Sequence, residues 1–205
     1  MRRLDRRRSF LPLALLGAGL LAGCVTRGTI VESGLSPAVR RATLESLANW
    51  EARGRIALKT PGTSGQGSFA WIQTGDQAVL RVSGPFGAGA YEIRWDPARL
   101  TVLSKRGEVA ADYTGPDAAE RFLDEQLGWS LPVANTRHWL LGLVGPDSPA
   151  VPIVDASGLL VSLTQDGWQV RYGEYRTQGG IAMPRKLVFE SAAGRIRFVV
   201  DAWQF

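Results

Sequence analysis

Cys24 is the only thiol in this 205-residue chain, and the order Leu21-Ala22-Gly23-Cys24 sets it directly behind small side chains. Small residues let a peptidase reach the backbone, and a cysteine sulfur is a nucleophile on which a diacylglyceryl group can be placed. Ahead of it stand Arg2, Arg3, Arg6, Arg7 and Arg8, then an apolar run over residues 10–21 broken by Pro12 and two glycines. That run is shorter than the roughly 20 apolar residues that cross a bilayer as a helix, and it fits the apolar part of a secretory signal. An ordinary signal peptide with a chance cysteine is one reading. The place of the single cysteine, where the apolar run ends, favours a bacterial lipoprotein signal. The expected organisation is a signal peptide over 1–23, a lipidated flexible tether over 24–35 and one folded domain over 36–205.

Other chemistry is thinly supplied. The one histidine, His138, stands beside Trp139 on a predicted helix, and no Gly-x-Ser-x-Gly is present. A nucleophile, a base and an orienting group are therefore not assembled by any motif, and no enzyme is expected. Ligand spacing for a metal is absent, so neither metal nor other cofactor is expected. The Asp124-Glu125 pair reads as the solvated face of a helix. The whole chain has 24 basic and 19 acidic residues; five of the bases and one acid precede Cys24, leaving 19 and 18. The basic excess thus belongs mostly to the leader, and nucleic acid is not an expected partner. With no second cysteine the chain has no disulfide, so stability must come from burial in one sizeable core.

The elements that would carry these residues begin after a small-residue stretch over 25–35, which suits a tether. Ser36-Pro37 predicts a helix start, with Val39, Leu44, Leu47 and Trp50 on one apolar face. Six strands are predicted next, carrying Ala52 to Leu58, Phe69 with Trp71, Leu80 with Val82, Tyr91 to Trp95, Leu100 with Val102, and residues 108–113. A Pro-Gly-Thr-Ser-Gly-Gln-Gly turn separates the first two. Connections this short favour antiparallel neighbours. Pro116 opens a helix that Gly128 can end, and Asn135 can cap another through Trp139, Leu140 and Leu141. Residues 144–152 read as a loop. Strands resume at Leu159 to Leu163, and Asp166-Gly167 turns the chain into Trp168, Val170 and Tyr172. Two last strands carry Leu187 with Phe189 and Ile196 to Val200.

Ten or eleven strands with one apolar face must twist and curl, and a curled sheet needs something on its concave side. The expected class is mainly β, α+β: an incomplete barrel of about eleven antiparallel strands, with about three helices as a lid over an apolar hollow. Its concave face would draw on Phe69, Trp71, Leu80, Val82, Tyr91, Ile93, Trp95, Trp168 and Tyr172, with Trp139 and Leu140 facing them from the lid. The same residues can equally fill a solid core. Strands of about six residues are shorter than the 9–11 that cross a membrane, which argues against a transmembrane barrel.

A family resemblance rests on Gly54-Arg55-Ile56-Ala57, Gly84-Pro85-Phe86-Gly87, Leu127-Gly128-Trp129-Ser130-Leu131-Pro132-Val133, Trp139-Leu140-Leu141-Gly142, Gly167-Trp168-Gln169-Val170 with Tyr172 and Tyr175, Met183-Pro184 and Trp203. In this order and spacing, and with the lipidation motif, the chain resembles the LolB family of outer-membrane lipoproteins. The resemblance implies a half-barrel that takes lipoproteins from the periplasmic carrier LolA, holds their acyl chains and places them in the outer membrane. It implies as partners the carrier, client lipoproteins and outer-membrane lipid, and a monomer anchored at Cys24 and facing the periplasm. It also implies that the Gly84-Pro85-Phe86-Gly87 loop points outward and dips Phe86 into the bilayer, where the family commonly shows leucine. By composition alone, Phe86 could instead fold back on the sheet rim. An envelope lipoprotein that binds cell-wall glycan or scaffolds an envelope complex is the alternative, and it would need exposed tryptophans.

Overall fold

The computed structural model describes residues 34–84, 89–128 and 131–205. Helix α1 spans Pro37–Glu45 and is followed by β1 Asn49–Lys59, β2 Ser64–Thr74, β3 Gln77–Ser83, β4 Tyr91–Asp96, β5 Arg99–Ser104 and β6 Val109–Thr114. Helices α2, Ala118–Leu127, and α3, Val133–Leu141, come next. Strands β7 Ala150–Val154, β8 Leu160–Gln165, β9 Trp168–Gln178, β10 Ile181–Glu190 and β11 Arg195–Gln204 complete the chain.

All eleven strands form one antiparallel sheet in the order β6-β5-β4-β3-β2-β1-β11-β10-β9-β8-β7. Strands β1 and β11 pair in the middle, with Ala52 opposite Trp203 and Ile56 opposite Phe198. Each half is a meander, so the two edges are β6 and β7, and the chain passes from one to the other between them. On a curled sheet that passage crosses the open side. Helices α2 and α3 lie on it, which is why they cover the concave face. Two glycines admit the close approach that curling needs. A Cβ on Gly54 would lie 2.0 Å from the Val199 carbonyl oxygen, beside a register shift in β1, and one on Gly67 would lie 2.1 Å from that of Ser83.

The sheet and helices expected from the sequence are present, with local differences. Helix α1 is capped by the Ser36 hydroxyl, which accepts from the Val39 N–H at 3.4 Å, but it ends at Glu45. Trp50 belongs to β1 and Val39 is exposed; the helix buries Arg40 and Leu44 instead. Pairing Trp50 and Ala52 with the centre of the sheet outweighs another helical turn. Strand β2 starts at Ser64, inside the expected turn. Helix α3 starts at Val133, so Asn135 lies within it and caps nothing; its amide donates to Asp166 Oδ2 at 2.6 Å. Part of the expected 144–152 loop is edge strand β7, where Pro152 is tolerated. Strands β1, β2 and β9 each have 11 residues, so shortness does not exclude a membrane-spanning barrel. The open sheet does, because free edges leave backbone groups unsatisfied in lipid. No helix among the described residues is long and apolar enough to cross a membrane.

The core has two parts. The larger lies under α1 and α3 on β1, β2 and β8–β11, and includes Phe69, Phe189, Phe198 and Trp203. The smaller gathers Leu100, Val102 and Ala118 under α2 on β5, with Ile93, Trp95, Tyr113 and Phe122 packed around them.

Candidate functional site: an apolar hollow under the second helix

Between the two core clusters lies a cavity of about 70 Å³. Its sheet wall is Trp71, Leu80, Ile93, Trp95 and Leu100, and its cover is Ala119, Phe122 and Leu123 of α2 with Leu131, Val133 and Thr136. The alternation of β2–β5 aims these sheet residues to the same face, and the register sets Trp71 beside Leu80, Leu80 beside Ile93 and Trp95 beside Leu100. Trp71 and Trp95 meet edge to face with ring centres 4.9 Å apart.

The polar atoms of this wall are turned to partners outside it. The Trp71 indole donates to Gln73 Oε1 at 3.0 Å, and Gln73 in turn donates to the Gly75 carbonyl at 2.8 Å. The Thr136 hydroxyl donates to the Pro132 carbonyl at 2.8 Å. A guest in this space would meet hydrocarbon and ring faces alone. Such a surface binds by burial, without orienting or activating anything. As it stands, the hollow has room for roughly five water-sized groups at about 10–15 Å³ each. A long acyl chain therefore needs the cover to move.

The two cover helices are held differently. Helix α3 is pinned on every side. Trp139 Nε1 donates to Gln165 Oε1 at 2.7 Å, the Tyr172 hydroxyl donates to the Trp139 carbonyl at 2.9 Å, and Arg137 pairs with Asp76 at 2.9 Å. Arg40 donates to the Leu141 carbonyl at 3.1 Å and the Gly142 carbonyl at 3.4 Å, stabilising the negative end of the helix dipole. Gly142 ends α3 at φ 74° and Gly128 ends α2 at φ 72°, both in the left-handed region. Neither helix has a side-chain cap, and among the described residues α2 buries Ala118 alone. It is tied by Arg121 to the Thr114 carbonyl, by Glu125 accepting from Tyr113 at 2.5 Å, and by Phe122 against the Tyr113 ring at 5.7 Å.

The sequence-derived lining separates into three groups. Trp71, Leu80, Ile93 and Trp95 line the hollow. Phe69, Trp139, Leu140, Trp168 and Tyr172 are packed in the larger core: Phe69 against Phe198 at 5.3 Å and Trp139 against Phe189 at 5.6 Å. Val82 and Tyr91 face each other at the strand ends next to Gly84, with Tyr91 46% exposed. Leu100, Phe122, Leu123 and Leu131 join the lining, for which the sequence had not singled them out. Phe86 with Pro85 and Gly87, and the lipidation position Cys24, lie outside the described residues.

Arg40 was invisible in the sequence. It is 4% exposed, bonded to three backbone carbonyls, Ala182 at 2.8 Å included, and stacked 5.6 Å over Tyr175. Desolvation pulls its pKa down from the ordinary value, yet a guanidinium stays protonated. Burial likewise lowers the His138 pKa and raises that of Tyr172. The His138 Nδ1 faces the Ala134 carbonyl at 3.2 Å. Among the described residues no group of three or more His, Cys, Asp or Glu side chains could hold a metal. Trp50, Trp71, Trp139, Trp168 and Trp203 are buried and Trp95 half-buried, so these indoles offer no sugar platform.

An open half-barrel with an apolar hollow under a thinly tied helix is the fold of a protein that can enclose an apolar body. A family model described as outer membrane lipoprotein LolB matches residues 48–203, and the chain belongs to that family. It is 35% identical over 190 residues to the outer-membrane lipoprotein LolB of Pseudomonas putida strain F1, covering 90% of this chain and 91% of that one. It is 34% identical over 198 residues to the LolB of Nitrosococcus oceani, covering 95% and 96%. Among solved structures, a DUF1329 family protein from Desulfovibrio piger shares the fold with a TM-score of 0.53 at 10% identity, covering 82% of this chain and 90% of that one.

Proposed function

We propose that this protein receives lipoproteins from a periplasmic carrier of the LolA kind, holds their acyl chains in the hollow under α2, and releases them into the inner leaflet of the outer membrane. The observation that carries this reading is the hollow itself, apolar on every side and covered by a helix with few ties. Each buried methylene is worth about 0.8 kcal/mol, so a receiver that holds the chains at least as well as the carrier draws the client over without nucleotide or metal. The protein acts as a binding and transfer module, as a monomer, and not as an enzyme.

The leader, residues 1–23, is removed and Cys24 carries the lipid. Stable anchoring takes two or more chains, which a triacylated cysteine supplies. Val25 stands where an aspartate would favour retention in the inner membrane, so the anchor sits in the outer membrane with the domain facing the periplasm. Trp71, Leu80, Ile93 and Trp95 are the chain-binding wall, and the 84–87 loop with Phe86 is the point of entry to the bilayer.

The test mixes a purified carrier–lipoprotein complex with this protein and separates the two after equilibration. The lipoprotein should leave the carrier for this protein. Retention on the carrier would reject the receiver role.

A further inference from the structure

The register of the sheet places the turns at 60–63, 105–108, 166–167 and 191–194, with the facing ends of β3 and β4 at Ser83 and Tyr91, at one end of the molecule. Lys59, Lys105, Arg106 and Arg197 are exposed there, and none has an ion-pair partner among the described residues. The carboxylates at this end are outnumbered. Glu92 is shared by Arg81, at 2.7 Å, and Arg94; Glu190 is shared by Arg171, at 2.5 Å, and Arg195. Each cluster therefore keeps a net positive charge, and Glu108 and Asp166 are further acids at this end. The opposite end is different. Asp96 and Asp155 there accept from turn N–H groups, at 2.8 Å from Ala98 and 2.8 Å from Ser157, without a salt bridge. That half of the sheet also holds a cationic cluster, Glu174 shared by Arg176, Arg185 and Lys186, but among the described residues every exposed cation without an ion-pair partner lies at the first end, which the near balance in composition conceals.

Two shallow basins open on the outer face at the cationic end. One, of about 450 Å³, is bordered by Arg81, Arg94 and Lys105 with Glu92 among them; the other, of about 490 Å³, by Lys59, Arg195 and Arg197. Each has room for a phosphate among guanidinium and ammonium groups that can donate to it.

We propose that this cationic end docks on anionic phospholipid headgroups, with the two basins receiving lipid phosphates. The proposal rests on the reading that the 84–87 loop meets the bilayer, since the ends of β3 and β4 that the loop joins lie here. Surface cations beside an anionic leaflet contribute about 1 kcal/mol each, and the attraction fades within a Debye length. Docking by this end would hold the loop against the membrane and turn the opposite end toward the periplasm.

The test uses residues 34–205, which span the described core from Arg40 to Trp203, once a cooperative thermal unfolding transition has shown that this part folds on its own. Flotation compares vesicles of phosphatidylcholine alone with vesicles of phosphatidylcholine and phosphatidylglycerol in equal amounts. The domain should prefer the anionic vesicles, and added salt should abolish the preference. Replacing Lys59→Gln, Lys105→Gln, Arg106→Gln and Arg197→Gln one at a time should weaken partitioning about fivefold each, the equivalent of roughly 1 kcal/mol per cation. All four together, if their contributions add, should weaken it by about several hundredfold, with thermal unfolding unchanged because the four side chains are exposed. Equal binding to both vesicles, or undiminished binding by the quadruple variant, overturns the proposal. Client transfer from the carrier, measured without vesicles, reports on the receiver role separately. If the quadruple variant loses that transfer but keeps its vesicle binding, the cationic end faces the carrier and the proposal fails.

Discussion

The Arg40 guanidinium lies 3.1 Å from the Leu141 carbonyl oxygen, so the first helix of the domain closes the C-terminal end of the third. The same side chain bonds Ala182 in β10 at 2.8 Å. Three elements far apart in sequence meet on one buried cation, which makes the position of α3 independent of α2. Arg40→Met fills the space but leaves the carbonyls of Ala182, Leu141 and Gly142 without donors. It should cost about 3 kcal/mol of stability in urea unfolding, and Arg40→Lys should recover only part, lacking the planar fork.

Gln165 is the second anchor. Its Oε1 accepts from Trp139 Nε1 at 2.7 Å and from the Gly145 N–H at 3.0 Å, and its Nε2 donates to the Gly145 and Ser148 carbonyls at 2.8 and 2.9 Å. Gln165→Leu matches the volume and strands all four groups. A loss of about 2–4 kcal/mol is expected in the same measurement.

Leu123 separates chain binding from folding. It covers the hollow from α2 and is half-buried. Leu123→Trp would occupy the remaining space, so displacement of a fluorescent fatty acid and uptake of a client should both fall, by about tenfold or more, while stability moves by about 1–3 kcal/mol at most. Unchanged uptake would move the binding site elsewhere.

For Phe86 the expected split is between uptake and delivery. Phe86→Glu should leave folding and uptake from the carrier near normal and sharply reduce delivery into liposomes, because a carboxylate resists entering the acyl region. Phe86→Leu should deliver normally. Unfolding of the glutamate variant, or delivery at the normal rate, would make Phe86 a packing residue.

His138 gives a pH dependence that one residue can report. Burial holds its pKa below the ordinary value of about 6.5, so the folded state binds the proton less readily than the unfolded chain does. The stability this contributes is complete above about pH 6.5 and declines as the pH falls below it. As the chain has one histidine, its imidazole proton signal in NMR is unambiguous and should titrate below the ordinary value. His138→Gln should flatten the change in stability between pH 7 and pH 5.

The sequence by itself determined the strand content, the antiparallel connections and the sidedness of the sheet. Alternation at Phe69 and Trp71, and at Tyr91, Ile93 and Trp95, is a local property of extended chain. Turns such as Asp166-Gly167, with φ of 52° and 75°, follow from residues that tolerate the left-handed region. Order and spacing of the short motifs also carried the family. What the sequence left open was which apolar residues are solid core and which bound a space, since periodicity reports the face of a strand and not what covers it. Phe69 and Trp71 share one alternation on β2, yet Phe69 is packed against Phe198 and Trp71 borders the hollow, because α2 leaves a gap over the sheet. The buried role of Arg40 and the gathering of cations at one end were equally beyond reach. Both depend on which turns and carbonyls the register brings together across the sheet, and only the tertiary structure decides that.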